Sequence, residues 1–268
     1  MPRRLLTAKG CSVKIGIVGT GFIAEAIVRG LSRGAGGPSF VLSPRNPETA
    51  SRLARDYPLA VTKATSNQEV VDCTDIVFLS VRPAIAVQVI GSLRFRAEQT
   101  VVSVIAGIQL SELREMVSPA TTAVLAIPLP AMSQGKAPLV LMPDNLQVRE
   151  LFSATGPVVA VANEEAYAAL GTVTAIMAPY FDVASKLTCW LTSKGVSREM
   201  ASMYISGLLS GLAETASRAK NKTFEDLVVE HATPGSFNER LLQHLFSNTS
   251  ESAVTKALDP LLARMLAS

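Results

Sequence analysis

Gly19-Thr20-Gly21-Phe22-Ile23-Ala24 reads G-x-G-x-x-A, directly after the apolar run Val13-Lys14-Ile15-Gly16-Ile17-Val18 and directly before an amphipathic stretch. Small residues at this spacing suit one kind of chemistry. The first glycine permits a tight turn, the second leaves bare backbone within reach of a pyrophosphate, and the small third residue lets a helix pack on a strand. Phosphate charge then faces the unsatisfied N–H groups at the positive end of a helix dipole. The six residues are expected to bind a dinucleotide; the competing reading is a glycine turn that holds no ligand. About 20 residues further on, an NAD site places Asp or Glu against the adenosine ribose. Here that region reads Leu42-Ser43-Pro44-Arg45-Asn46, without a carboxylate. Ser43, Arg45 and Asn46 can donate to a 2′-phosphate, and Arg45 adds charge and a planar fork. NADPH is therefore expected over NADH, the alternative being that Arg45 is a solvated surface charge.

The elements that must hold this motif are visible in the hydrophobic pattern. Short β-branched runs alternate with amphipathic stretches: helical patterns at 22–33, 47–56, 84–92 and 110–116 follow strands at Val13–Val18, Phe40–Leu42, Ile76–Val81 and Val101–Ile105, with Ala123–Ile127 next. Near-continuous apolar strands separated by helices predict a parallel sheet covered on both faces. Beyond Asn163 helical periodicity takes over: 163–194, bent at Pro179 and ended by Gly195; 197–220, started by Ser197; 223–231, started by Thr223; and two shorter segments. The expected domains are 1–160 and 161–268. Ser202, Ser206 and Ser210 recur beside Gly207 and Gly211. They form a small-residue face for a second helix of the same subunit or of another.

Composition narrows the function classes. The chain has 268 residues, 48% hydrophobic and 18% charged, with 25 Lys+Arg against 22 Asp+Glu for a net charge of +3. Those charges are scattered, so neither nucleic acid nor an acidic membrane surface is an expected partner. Mean hydropathy is high at +0.31, yet no window offers about 18 uninterrupted apolar residues. The excess is expected to serve a core and a subunit interface. Cys11, Cys73 and Cys189 lack metal-ligand spacing, so no metal centre is expected, and they read as small buried hydrophobes in a reducing compartment. Arg3-Arg4 is followed by Leu5-Leu6-Thr7-Ala8-Lys9 without an apolar h-region, so a cytoplasmic protein is expected.

Taken together, these residues resemble the pyrroline-5-carboxylate reductases, which use NADPH to reduce a cyclic imine to proline. The resemblance rests on Lys14–Gly21 with Ala24–Leu31, on Asp75-Ile76-Val77-Phe78-Leu79-Ser80-Val81-Arg82-Pro83 with arginine where lysine is usual, on Ser103-Val104-Ile105-Ala106-Gly107-Ile108, and on Ala232-Thr233-Pro234-Gly235. It implies an α/β Rossmann-type N-terminal domain followed by an all-α C-terminal dimerisation domain, in a homodimer or a ring of dimers. It also implies that Val81, Arg82, Pro83 and Ala106 line the nicotinamide side, and that Asn67 lies near the adenosine ribose.

The departures gather where the substrate is expected. The family's M-P-N-T-P becomes Ile127-Pro128-Leu129-Pro130, its G-S-G-P becomes Ile176-Met177-Ala178-Pro179, and its G-G-T-T becomes Gly235-Ser236-Phe237-Asn238. Of the nearby donors, Thr233, Ser236 and Asn238 rank first for holding a substrate carboxylate, because a Pro-Gly turn opening a helix presents hydroxyl and N–H groups to an anion. Ser236-Phe237-Asn238-Glu239 also fits the capping box S-x-x-E, so helix capping is the competing reading. Tyr180 and His231 are further donors, His231 as an acid or a solvated helix end. Lys186 and Lys194 read as surface charges. The expected activity is NADPH-dependent reduction of pyrroline-5-carboxylate or of a related imine with a less polar pocket. Two alternatives stay open: a related two-domain dehydrogenase acting on a keto or hydroxy acid, with a lysine of the long helix as catalytic group, and a catalytically inactive NADPH-binding regulatory protein.

Overall fold

In the computed structural model, residues 13–33, 36–246 and 251–267 are described; Cys11 and the segment Arg3–Lys9 lie outside them. The first part of the chain alternates β1 (Lys14–Val18), α1 (Phe22–Leu31), β2 (Ser39–Leu42), α2 (Pro47–Asp56), β3 (Val61–Lys63), α3 (Asn67–Asp72), β4 (Ile76–Leu79), α4 (Ala86–Gly91), β5 (Thr100–Ser103), α5 (Leu110–Met116), β6 (Thr122–Ile127), β7 (Leu139–Met142), α6 (Leu146–Phe152) and β8 (Val158–Ala160). They form one sheet of order β3-β2-β1-β4-β5-β6-β7-β8.

Side chains alternate across this sheet. Ile15, Ile17, Phe40, Leu42, Ile76 and Phe78 pack with Ile27, Val28, Leu53 and Phe152 on one face. Val18, Val41, Val77, Leu79 and Val101 pack with Val70, Val71, Ile90 and Leu113 on the other. Both faces are thus buried under helices, as apolar runs such as Ile76–Leu79 require. Phe78 meets Phe152 edge to face at 5.7 Å between ring centroids. Everything from β3 to β6 is parallel, whereas β7 runs antiparallel to β6 and β8 is parallel to β7. The reversal departs from the all-parallel expectation, and its cause is the connection. Between Ile127 and Leu139 the chain makes only a 3-10 turn, Pro130–Gln134, with no crossover helix to carry it back.

The remaining helices are α7 (Glu164–Val173), α8 (Met177–Ser193), α9 (Arg198–Arg218), α10 (Phe224–His231), α11 (Phe237–Phe246) and α12 (Glu251–Leu266). The long helix expected over 163–194 is interrupted by a 3-10 turn at Thr174–Ile176. Pro179 has no N–H to give the Ala175 carbonyl four residues back, which lies inside that turn, so the helix is broken where the proline was expected to bend it. Ser197 and Thr223 cap α9 and α10 as expected, their side chains accepting from the Met200 and Asp226 amides.

The chain divides into two compact units, Met1–Gly171 with Arg264–Ser268, and Thr172–Ala263. The change from strands to helices near residue 160 and this division fall at different places, because most of α7 and the last residues belong with the sheet. One expectation is overturned outright: Cys73 and Cys189 are both exposed, not buried. Cys73 follows α3 as its C-cap, a position that faces water, and its backbone N–H rather than its thiol does the capping.

Candidate functional site

The carboxyl ends of β2, β1 and β4 lie side by side, and the loops that leave them shape a cleft of about 350 Å3. Gly19, Thr20, Gly21, Arg45, Asn46, Ser80, Val81, Arg82 and Ile85 line it. A crevice outside the strand ends, where the order of connections reverses, is where ligands bind open α/β sheets.

The glycine loop is set from below. Gly19 adopts φ +97°, and a Cβ there would come within 2.5 Å of the Ser80 carbonyl oxygen. Its N–H donates to Ser43 Oγ at 3.0 Å, and Thr20 Oγ1 donates to the Ser43 carbonyl at 3.0 Å. Asn46 Nδ2 donates to the Thr20 carbonyl at 3.0 Å while its Oδ1 accepts from Thr49 N–H at the start of α2. The end of β2 thereby fixes the turn after β1. Gly21 differs from Gly19: a Cβ there would meet nothing within 4 Å. Open space over bare backbone is what an approaching phosphate needs. Gly21 is also the N-cap of α1 and offers no side-chain acceptor, unlike Asn46, Ser66 and Asn145 at α2, α3 and α6. The first-turn amides of α1 are left for an external acceptor.

α1 is held in place by charge. The Glu25 carboxylate accepts from Arg29 at 2.9 Å and from Arg52 of α2, and Arg29 reaches Asp56 at 2.8 Å. Hydrogen bonds to Glu25 and Asp56 raise the Arg29 guanidinium still further above its ordinary range. Beneath α1, Ala24 is fully buried, as the motif demands, and Ile23 packs on the core. Phe22, by contrast, is 72% exposed.

The structure therefore sorts the residues expected at the cofactor. Gly19, Thr20, Gly21, Arg45, Asn46, Val81 and Arg82 share the cleft. Ser43, 0% exposed, supports the loop from underneath with its hydroxyl already engaged, and so it does not reach out to a 2′-phosphate. Pro83 and Ala106 line a neighbouring cavity with Ala86, Gly107, Ile108 and Met116, between the loops after β4 and β5. Asn67 opens α3 and is not among the residues lining the cleft. Sequence reading missed Ser80 and Ile85. The signal was available in principle, since β1 pairs with β4 so that Val18 opposes Leu79, which brings the next residue, Ser80, beside Gly19.

The substrate candidates occupy the turn between α10 and α11. Ser236 Oγ accepts from Glu239 N–H at 3.1 Å, which is the capping role, though the Glu239 carboxylate returns to Gly235 N–H instead of to Ser236. Asn238 Nδ2 donates to the His231 carbonyl at 3.0 Å. His231 Nδ1 is bonded to the Leu227 carbonyl. Thr233 is exposed, with its hydroxyl unengaged among the described residues. Tyr180 stacks edge to face with Phe181, Lys186 pairs with Asp182, and Lys194 sits over the Trp190 ring. Of the altered segments, Ile127–Pro130 leads into a turn that packs Met132, fully buried, beneath α1.

Comparison with known proteins agrees with this geometry. Residues 14–107 match the family model described as NADP oxidoreductase coenzyme F420-dependent. The pyrroline-5-carboxylate reductase of Mycobacterium tuberculosis is 30% identical over 220 residues, covering 75% of this chain and 72% of the relative. Two solved structures share the fold. The 1-pyrroline-5-carboxylate reductase of Streptococcus pyogenes has a TM-score of 0.80 at 21% identity, covering 95% of this chain and 98% of the other. The pyrroline carboxylate reductase of Plasmodium falciparum, solved with NADP bound, has a TM-score of 0.79 at 18% identity, covering 95% and 97%. On the strength of the glycine loop, the strand-end cleft and this likeness across both units, the chain is an oxidoreductase belonging to the pyrroline-5-carboxylate reductase family.

Proposed function

We propose that the protein uses NADPH, in preference to NADH, to reduce the C=N bond of a cyclic imine, either pyrroline-5-carboxylate or a close relative. One observation carries the coenzyme reading: the cleft above Gly21 is open, floored by uncapped amides and bordered by Arg45, with no carboxylate among its lining residues. A carboxylate at this place would welcome a ribose hydroxyl and repel a phosphate; a guanidinium does the reverse. In the reaction the imine carbon takes a hydride from the reduced nicotinamide and the nitrogen takes a proton, giving a secondary amine and NADP+. What the chain contributes is placement. Gly19–Gly21 and the start of α1 hold the pyrophosphate, and the loops after β4 and β5, with Pro83 and Ala106, wall the reactive end. The unengaged Thr233 hydroxyl is the side chain we assign to the substrate carboxylate, on a turn that Ser236 and Asn238 keep in shape.

The apolar exposure of the helical unit supports a homodimer or a ring of dimers. Met200, Met203, Tyr204, Leu208 and Leu212 form one stripe along α9, all exposed, beside Gly207 and Gly211, at which an added Cβ would meet nothing within 4 Å. Ala201 and Ile205 are the residues of α9 that are buried. A second copy of the chain is the occupant we assign to the stripe.

Mixing the protein with NADPH and pyrroline-5-carboxylate and following the nicotinamide absorbance band tests the activity. Coenzyme oxidation that depends on the imine is the expected result. Tight NADPH binding without turnover on this or any other cyclic imine would replace the enzyme by an inactive NADPH-binding protein.

A further inference from the structure

Three side chains were expected to meet a 2′-phosphate, yet two of them are largely committed elsewhere. Ser43 is buried with its hydroxyl between Gly19 N–H and Thr20 Oγ1. Asn46 spends its oxygen on capping α2 and one N–H on the Thr20 carbonyl. Arg45 is left, and a dianion is poorly held by one solvated guanidinium. The cleft contains a second one. Arg82, on the loop after β4, lines the same cleft as Arg45 and Asn46, and β4 and β2 flank β1 on either side. The two arginines thus reach the cleft from opposite sides of the glycine loop. Neither forms an ion pair among the described residues, and no acidic side chain lines the cleft. Two unpaired like charges facing one space repel each other until an anion sits between them.

The partition of the loop after β4 points the same way. Arg82 belongs to the cleft with Arg45, whereas its neighbour Pro83 lines the next cavity with Ala106. The resemblance had grouped Arg82 with Pro83 and Ala106 at the nicotinamide. We propose instead that Arg82 is a specificity residue of the adenosine end, closing with Arg45 on the 2′-phosphate of NADPH. This rests on the reading that the cleft takes a nicotinamide coenzyme.

Calorimetric titration of Arg82→Gln, Arg45→Gln and the double variant tests it, with NADPH, NADH, adenosine 2′,5′-bisphosphate and adenosine 5′-monophosphate as ligands. Both side chains are exposed and unpaired, so the variants are expected to melt as the parent does, which a thermal scan checks. Each single variant should weaken NADPH and the bisphosphate about tenfold or more while NADH and the monophosphate change less than about twofold. The double variant should lose less than the product of the two, since both guanidinium groups grip one phosphate, and Arg82→Lys should recover part of the loss. Equal weakening of all four ligands by Arg82→Gln would place it on the adenosine 5′-phosphate they share, and weakening of the two dinucleotides alone would place it on the pyrophosphate or the nicotinamide end; either overturns the proposal, as would no weakening of NADPH. A parent protein that binds none of the four overturns the coenzyme reading itself, and this proposal with it.

Discussion

Gly19 and Gly21 stand two residues apart and are needed for opposite reasons, which makes them separable by substitution. At Gly19 the backbone is left-handed and the space is filled by the Ser80 carbonyl. Gly19→Ala is expected to cost about 2 kcal/mol or more of folding stability, read from the midpoint of urea denaturation. At Gly21 the backbone is ordinary, φ −96°, and the space is empty. Gly21→Ala should therefore fold with less than about 1 kcal/mol lost at the N-cap, yet bind NADPH at least about tenfold more weakly because its methyl group occupies the phosphate's approach. A coenzyme affinity unchanged in this variant would remove the pyrophosphate from that spot. Ser43→Ala separates support from contact. It strands the Gly19 N–H without its acceptor, so it should cost about 1–3 kcal/mol of stability and weaken NADPH and NADH by the same factor. A loss confined to NADPH would return the Ser43 hydroxyl to the 2′-phosphate. The sequence carried the motif but not this division of labour, because a serine beside an arginine gives no sign of which one is buried. Burial depends on Gly19 N–H coming within reach of Ser43 once β1 and β2 pair, a contact 24 positions apart in the chain.

Helices were legible where an end signal is joined to enough length to show a period; α3 and α6, of six and seven residues, were missed although Ser66 and Asn145 cap them. Asn46-Pro47 starts α2 and Thr223 with Asp226 starts α10, each by a side chain that satisfies an amide three residues on. These are local contacts, so local sequence suffices. Thr223→Ala removes one half of a reciprocal pair and should lower stability by about 1 kcal/mol in a thermal or chemical melt; no change would mean that packing alone holds α10. The strands that sequence reading missed fail for a matching reason. β3 has three residues, two of them exposed, at the sheet edge, and β8 is as short and half-covered. Neither contains enough alternation to stand out. β7 is apolar throughout and lies between Pro138 and Pro143, so its composition was plain, but its direction is a property of the connection from β6 and of no residue within it. The candidate site was legible to the same degree. Its loop, its cations and the turn at Thr233 could be read as motifs, whereas Ser80 and Ile85 enter the cleft only through the pairing of β1 with β4.

At the scale of the whole molecule the two units make different demands on water. The sheet-bearing unit buries its apolar side chains on both faces, while in the helical unit Tyr180, Phe181, Trp190, Met203 and Phe237 are all exposed, Met203 by 71%. Large apolar side chains exposed in such number are what the proposed association of two copies would cover. Sedimentation of the purified protein is accordingly expected to give a mass of at least twice the 28.3 kDa of one chain. Placing charge on the stripe with Met203→Glu and Leu208→Glu should shift the mass toward one chain, since a carboxylate buried at an apolar seam without a partner is strongly disfavoured. The coenzyme gives an internal control on that experiment. Every residue lining the strand-end cleft lies in the first compact unit, far in sequence from α9. The charged variant should therefore still bind NADPH with an affinity close to the parent's while failing to associate. Loss of both together would mean that the cleft is itself completed by association, and the assignment of the coenzyme grip to one chain would have to be given up.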